Sequence, residues 1–180
     1  MSETVHSGGC LCGAVTFEVI GEPFTMTYCH CESCRCWVSA PVMGGCLYHA
    51  EKVRIVGGAD KLAVFKRTED SGSHRKFCQN CGSALFNEHP SIKMIDVMAV
   101  SISDLVFEPK LHTHYSEKIV SFYDGLPKYK GFDPAVGAQG IHFLSSLASQ
   151  NIAIAIRRYL SSIPVLTALL RKPTIAMAVL

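Results

Sequence analysis

Cysteine residues carry the clearest chemical signal in this chain of 180 residues. Seven of the nine cysteines fall into three short clusters. The clusters are Cys10 and Cys12; Cys29, Cys31 and Cys34; and Cys78 and Cys81. Zinc takes thiolate ligands at about 2.3 Å in a tetrahedron, and a tight turn can direct two such cysteines to one ion. The spacing therefore predicts metal binding by thiolates.

Counting ligands suggests how the clusters divide between ions. The first and last clusters together offer four thiolates, which make a closed structural zinc site. The middle cluster offers three and leaves a fourth position for water or substrate, as in a catalytic zinc site. The alternative pairs Cys10 and Cys12 with two middle cysteines, and it ranks lower because Cys78 and Cys81 would then lack partners. We therefore expect two zinc ions per chain.

Two other interpretations of the cysteines are weaker. An iron–sulfur cluster is less favoured because the cysteines form short groups and not the usual four-cysteine run. Free cysteines are also commonly buried as small apolar side chains, but three clusters with metal-like spacing rarely arise by chance. We keep the apolar interpretation for Cys36 and Cys46, which we do not expect to bind metal.

The composition excludes several classes of protein. A formal net charge of only +2, with scattered basic residues, does not suit a dedicated nucleic-acid-binding protein. The odd number of cysteines, and a first segment (MSETVHSGG) unlike a signal peptide, argue against a secreted disulfide framework. We expect reduced thiols and a cytoplasmic location.

Short strands must position these cysteines. Runs rich in β-branched and aromatic residues, bounded by turn-forming residues, occur at 14–20, 53–56, 62–67 and 92–100. The last is apolar enough for a strand buried on both faces. No sustained helical period occurs before residue 135. The sequence therefore predicts a mainly β domain over residues 1–134.

The remaining residues, 135–180, differ in charge. All fifteen acidic residues lie in 1–134, whose net charge is −2, whereas 135–180 carry +4. Apolar residues at helical spacing suggest a hydrophobic C-terminal extension whose helix packs on the domain or on a second subunit. Membrane contact, disorder or a misassigned reading frame are the alternatives. The sequence predicts neither the role of this extension nor the oligomeric state.

Four segments add a resemblance to a known family. They are GGCLCGAVTFEV (8–19), YCHCESCR (28–35), RKFCQNCGSALF (75–86) and DGLPKYKGF (124–132). In order and spacing they resemble the glutathione-dependent formaldehyde-activating enzyme family, which also includes centromere protein V, over about residues 6–133. The resemblance implies a small zinc-bearing β-tent fold with the same division into four structural and three catalytic cysteines. It also implies a carbon–sulfur lyase that joins glutathione, as co-substrate, to formaldehyde.

The sequence departs from the family pattern at two places. After the middle cysteines the family usually has a small polar residue and then glycine, but here Cys36, Trp37, Val38 and Ser39 follow. A tryptophan usually found near the closing segment is absent. These departures leave the substrate open. The alternatives are a repurposed enzyme acting on another thiol adduct or metabolite, and a non-catalytic zinc-binding interaction module.

Four residues and one loop near these motifs are further candidates. Arg35 would offset the net −1 charge of three thiolates on a dication, bind a glutathione carboxylate, or remain a surface charge. His30 would shuttle protons or, as residues between ligands usually do, point away from the metal. We expect His112 and His114 to be exposed. The polar segment 67–77 is expected to be a connecting loop, with ligand contact as the alternative.

Overall fold

The computed structural model describes residues 3–132, which form two β-sheets and one α-helix. The strands are β1 (Val5–Gly9), β2 (Thr16–Ile20), β3 (Thr25–Cys29), β4 (Met43–His49), β5 (Val53–Gly57), β6 (Leu62–Phe65), β7 (His74–Cys78), β8 (Ala84–His89), β9 (Met94–Met98) and β10 (Leu111–Thr113). The helix is α1 (Glu32–Val38). Single 3-10 turns lie at Ala50–Lys52, Ala59–Lys61, Pro90–Ile92, Ala99–Ser101 and Tyr115–Glu117.

The smaller sheet has the strand order β1-β2-β5, and all its pairs are antiparallel. The residue pattern of β2 shows why the smaller sheet forms. Its apolar residues Phe17 and Val19 are buried and alternate with polar residues that are partly exposed, which is the period of a strand with one face on a core.

The larger sheet has the order β10-β3-β4-β9-β8-β7-β6. Its pairs are antiparallel except β10, which runs parallel to β3. Strand β9 lies near the centre, and four of its five residues are buried, as expected for an apolar run covered on both faces. The parallel β10 matters for the site because it places residues 111–113 beside residues 27–29.

One apolar core joins the two sheets. Phe17 of the smaller sheet meets Phe86 of the larger sheet edge-to-face, with ring centroids 4.9 Å apart. Both rings are almost fully buried. The other fully buried members of this core are Val15, Val19, Cys46, Tyr48, Cys78, Leu85 and Val97.

The mainly β prediction is confirmed, and each of the four predicted runs contains a strand. The sequence did not predict α1, because its seven residues span less than two full helical repeats. The predicted extension 135–180, with its helix, lies outside the described residues. Within residues 3–132, no helix is long and apolar enough to span a membrane.

The Phe17–Phe86 contact between the sheets should contribute strongly to the stability of the domain. Phe17→Ala removes a buried ring between the sheets and should lower the free energy of unfolding by about 3–5 kcal/mol. Val56→Ala is the control, because Val56 is half-exposed and should cost at most about 0.5 kcal/mol. Urea unfolding followed by circular dichroism measures both. Equal effects of the two substitutions would contradict this account of the core.

Candidate functional site

The structure gathers four thiols from two distant turns into a four-thiol cluster. Cys10 and Cys12 follow β1, Cys78 ends β7, and Cys81 lies in the turn between β7 and β8. The four sulfur atoms lie within 4.8 Å of one another. Cys10 and Cys12 are 3.6 Å apart and Cys12 and Cys78 are 3.9 Å apart, close to the edge of about 3.8 Å in a tetrahedral zinc–thiolate site. This donor set fits one tetrahedral ion.

Both turns use the same backbone device. Gly13 N–H donates to the carbonyl of Cys10, and Gly82 N–H donates to the carbonyl of Cys78. Both glycines have a φ of +74°, which a residue with a side chain rarely adopts. Burial alone would raise the pKa of Cys10, but hydrogen bonds led by the Val15 N–H outweigh it and lower that pKa. The fold therefore favours the thiolate at Cys10.

A three-thiol cluster forms where β3 runs into α1. Cys29 ends β3, Cys31 caps the N-terminus of α1, and Cys34 lies in its first turn. Their sulfur atoms also lie within 4.8 Å of one another, and Cys29 Sγ is 3.6 Å from Cys31 Sγ. The sequence spacing and the structure thus bring together the same three thiols.

The three thiols differ in acidity because they share hydrogen bonds. Hydrogen bonds from Cys29 and Cys34 lower the pKa of Cys31 to about 2, whereas the contact with Cys31 raises the pKa of Cys29. The backbone N–H of Cys34 also donates to Cys31 Sγ at 3.2 Å. Without a cation, the cluster therefore concentrates negative charge on Cys31, and a bound cation would favour thiolates at all three sites.

A cavity of about 670 Å³ opens beside the three-thiol cluster. All three cysteines line it, whereas none of the four-thiol cluster does. The volume lies in the range typical of small-molecule sites. The segment 67–77 contributes to the wall through Arg67, Ser73 and Arg75, so it is more than a connecting loop.

The buried cation in this wall is Arg75, on β7. Only 7% of Arg75 is exposed, its Nη2 donates to Ser33 Oγ at 2.9 Å, and its guanidinium lies 5.5 Å from the centre of the Trp37 ring. The hydrogen bond with Cys29 lowers the pKa of Cys34, but the hydrogen bond with Cys31 and burial outweigh it and raise that pKa to about 12. The positive charge of Arg75 acts in the opposite direction and lowers it. Arg75 and Arg67 thus line the cavity, whereas Arg35, one of the candidates from the sequence, does not.

Arg35 is a structural link. Its Nε donates to the carbonyl of His30 at 2.8 Å, and its Nη2 donates to the carbonyl of Glu117 at 3.1 Å. It does not line the cavity. Arg35 thus ties the start of α1 to the turn after β10, a role that the sequence did not predict.

The expected exposure of His112 is wrong. His30 and His112 are both fully buried and 2.8 Å apart, and His112 also lies 2.7 Å from Asp124. The error has a physical cause: β10 is an edge strand of the larger sheet, but the closing segment covers it, since His112 N–H donates to the carbonyl of Pro127 and the carbonyl of His112 accepts from Tyr129 N–H. His114 adopts a φ of 51° after β10 and lines the cavity.

Burial controls the protonation of both imidazoles. Burial, with a smaller effect of His112, lowers the pKa of His30 to about 4. Burial also lowers the pKa of His112, although the hydrogen bond to Asp124 opposes it. Both rings are therefore neutral at pH 7.

The cavity wall also contains a cluster of polar side chains that the sequence did not predict. His89 Nε2 lies 3.0 Å from Asp96 Oδ2 and 3.2 Å from Asn87 Nδ2. These residues come from β8 and β9, which pair side by side. No motif marks them in the sequence, because only the pairing of the strands brings them together.

The two cysteines assigned to no metal site behave differently from the other seven. Cys46 lies in β4 with no exposed surface, and burial raises its pKa to about 12. Cys36 is exposed on α1. Neither belongs to a thiol cluster within residues 3–132.

Comparison with known proteins adds a family to this geometry. The model of the glutathione-dependent formaldehyde-activating enzyme family matches residues 5–117. The chain belongs to this family. The match covers the four-thiol and three-thiol clusters, α1 and every strand of the described residues 3–132.

Relatives and a solved structure were also found. An uncharacterized lyase of Schizosaccharomyces pombe is 35% identical over 81 residues, covering 45% of this chain and 56% of the relative. A Halomonas elongata protein, provisionally named a glutathione-dependent formaldehyde-activating enzyme, is 31% identical over 83 residues, covering 44% and 53%. The chain thus spans about half the length of these curated relatives. A crystal structure of a Rhodobacter sphaeroides protein matches with a TM-score of 0.47 and 23% identity, over 56% of this chain and 90% of the other.

The two clusters predict which thiols metal protects. We expect zinc to shield the accessible clustered thiols from iodoacetamide, namely Cys12, Cys31 and Cys81, because a thiolate bound to metal is a poor nucleophile. Cys36 should react with or without zinc, and Cys46 should react only after unfolding, because they are respectively exposed and buried. Mass spectrometry of peptides from full-length protein, alkylated with and without zinc, measures each position. Protection of Cys36, or reaction of Cys31 in the zinc-loaded protein, would contradict the assignment.

Proposed function

We propose that this protein is a zinc-dependent carbon–sulfur lyase that joins the thiol of glutathione to formaldehyde. The observation that carries the proposal is the three-thiol cluster in the wall of a ligand-sized cavity. Membership of the family, and the names of the two curated relatives, support the same reaction. All nine cysteines are free thiols, which suits a reducing compartment such as the cytoplasm.

The residues present fit two zinc ions with different roles. Cys10, Cys12, Cys78 and Cys81 would enclose a structural ion with four thiolates. Cys29, Cys31 and Cys34 would hold a catalytic ion and leave one position toward the cavity. When bound there, zinc supplies a Lewis acid that lowers the pKa of a thiol and polarises a carbonyl.

The reaction needs no oxidant or reductant. The sulfur of glutathione forms a bond to the carbon of formaldehyde, the π bond of the carbonyl breaks, and the thiol proton is transferred to the carbonyl oxygen. Negative charge moves from sulfur to oxygen during this step. Arg75 is the buried positive charge in the cavity wall, and its contacts with Ser33 and Trp37 hold it in place. Arg75 therefore stabilises the anionic groups of the reaction without reorganising.

The cavity also offers groups that complement glutathione. Arg67 suits one of its carboxylates, since a guanidinium binds a carboxylate in a bidentate manner. Asp96, beside His89, suits its ammonium group. We therefore propose that the partners of this protein are small molecules and do not include nucleic acid.

The departures from the family pattern leave the cavity open. Trp37 belongs to α1, stacks on Phe65 and meets Phe77 edge-to-face, so it does not line the cavity. Ser39 ends the helix with a φ of 51°, the backbone conformation that a glycine would adopt more easily. Because neither Trp37 nor Ser39 lines the cavity, their positions support the reaction of glutathione with formaldehyde over a repurposed reaction. A screen with other thiols and aldehydes separates these two possibilities.

The proposed activity predicts different effects of replacing two cysteines at α1, namely Cys31 at its N-cap and Cys36 within the helix. Cys31→Ser should reduce the rate of S-hydroxymethylglutathione formation to the uncatalysed level, because it removes a proposed ligand. Cys36→Ser is the matched control and should keep full activity. Exchange spectroscopy with ¹³C-formaldehyde and glutathione measures the rate. A fully active Cys31→Ser protein would refute the role of Cys31 as a ligand of a catalytic ion, whereas a wild-type protein without this activity would leave the non-catalytic zinc module.

The role of Arg75 gives a second kinetic prediction. Arg75→Gln removes the charge but keeps a donor for Ser33, and it should lower kcat/KM by about 100-fold. Lys110→Gln is the control, because Lys110 is an exposed cation paired with Glu108 away from the cavity. An equal, small effect of both substitutions would show that only the overall charge of the protein matters.

A further inference from the structure

A chain of hydrogen bonds runs from a partly exposed carboxylate in the closing segment, through two buried imidazoles, to the three-thiol cluster. Asp124 Oδ2 lies 2.7 Å from His112 Nε2, and His112 Nδ1 lies 2.8 Å from His30 Nε2. His30 is the residue between Cys29 and Cys31. The chain therefore ends on the backbone that carries two of the three thiols.

The carboxylate fixes the direction of this chain. Burial alone would raise the pKa of Asp124, but hydrogen bonds from Lys128 and His112 outweigh it and lower that pKa to about 2. An ionised carboxylate only accepts hydrogen bonds. His112 therefore donates its Nε2–H to Asp124, and its unprotonated Nδ1 accepts the Nε2–H of His30.

The ring of His30 depends on His112 for its orientation. The other nitrogen of His30, Nδ1, is buried and has no hydrogen-bond partner among residues 3–132. The hydrogen bond to His112 is thus the only one that holds the imidazole of His30 in the described part of the chain.

Aromatic rings enclose the two imidazoles. The ring centroids of Tyr115 and Phe122 lie 4.9 and 5.4 Å from that of His30, and Tyr28 lies 5.1 Å from His112. Hydrogen bonds are stronger in such a low-dielectric shell, and an unpaired polar group is more costly there. The shell therefore favours one arrangement of the chain.

The backbone of His30 is held as firmly as its ring. Its N–H donates to the carbonyl of Thr113 at 3.0 Å, and its carbonyl accepts from Arg35 Nε at 2.8 Å. Side chain and backbone are thus both fixed, and the positions of Cys29 and Cys31 follow from them.

We propose that Asp124, His112 and His30 form a positioning chain that holds Cys29 and Cys31 in the geometry needed to bind metal. The proposal rests on the proposed function only in that the three-thiol cluster binds zinc. It gives the closing segment, which contributes no thiol, a role in metal affinity. Groups that orient metal ligands typically change the affinity by about 10–100-fold when they are removed.

The test compares two carboxylates that each face a histidine. Asp124→Asn removes the acceptor-only carboxylate from the chain. Asp104→Asn makes the same change where Asp104 lies 3.3 Å from His6, at a pair that lines neither thiol cluster. In full-length protein, the free zinc concentration that half-protects the accessible thiols from alkylation measures the affinity of each site: Cys31 for the three-thiol cluster, and Cys12 and Cys81 for the four-thiol cluster. ¹⁵N NMR of the histidines reports which ring nitrogen carries the proton, independently of metal and activity.

We expect Asp124→Asn to raise the half-protecting zinc concentration of Cys31, the accessible thiol of the three-thiol cluster, by about 10–100-fold. The four-thiol cluster, and both clusters in Asp104→Asn, should be unchanged. In the wild type, His30 and His112 should carry their protons on Nε2. If Asp124→Asn does not fold, His112→Gln keeps a donor for Asp124, breaks the contact with His30, and should give the same shift.

Two results would overturn the positioning chain alone. They are a proton on Nδ1 of His30 in the wild type, and a half-protecting concentration within about twofold of the wild type in the folded variants. A different result would contradict the proposed function as well as the positioning chain. If no zinc concentration protects Cys31 in the wild type, the three-thiol cluster is not a metal site, and the lyase and the positioning chain both fail.

Discussion

The crowding of sulfur atoms is the constraint on which the rest of this structure depends. Two clusters hold their thiols within 4.8 Å of one another. Several thiolates at that distance repel strongly unless positive charge or N–H donors offset them. The chain supplies part of the compensation, through backbone N–H groups at Cys10 and Cys31 and through the guanidinium of Arg75. A dication would supply the remainder, so the thiol pattern, the turns and the buried arginine have one common explanation.

The surroundings distinguish two clusters of similar chemistry. The four-thiol cluster connects the turn after β1, in the smaller sheet, to the β7–β8 turn of the larger sheet. An ion held there would act as a cross-link between the sheets, since metal binding to such a site contributes to folding. The three-thiol cluster instead lies at the junction of β3 and α1, in a cavity wall. Access to a ligand-sized space separates a site for chemistry from a site for stability.

Residues without thiols shape the second cluster through contacts from several elements. Trp37 of α1, which departs from the family pattern, packs against the guanidinium of Arg75 from β7. The turn after β10 accepts a hydrogen bond from Arg35, and the carboxylate of Glu117 accepts one from the N–H of Glu32. The cluster is therefore held from three sides: by the strand before it, by β7, and by the segment that follows β10.

The sequence by itself determined the two thiol sets and the mainly β fold. Cysteines two or three positions apart meet through local turns, and the strands follow from alternating or continuous apolar runs, so both are encoded in short windows. The joining of the two distant cysteine pairs followed from counting the four ligands of a closed zinc site. Arg75, the His89–Asp96 pair and the burial of His112 were not predictable in this way. His112 reaches His30 across 82 positions only because β10 runs parallel to β3, and His89 meets Asp96 only because β8 pairs with β9. Strand pairing is a property of the whole domain, and for that reason only the tertiary structure decided which charges and imidazoles surround the thiols.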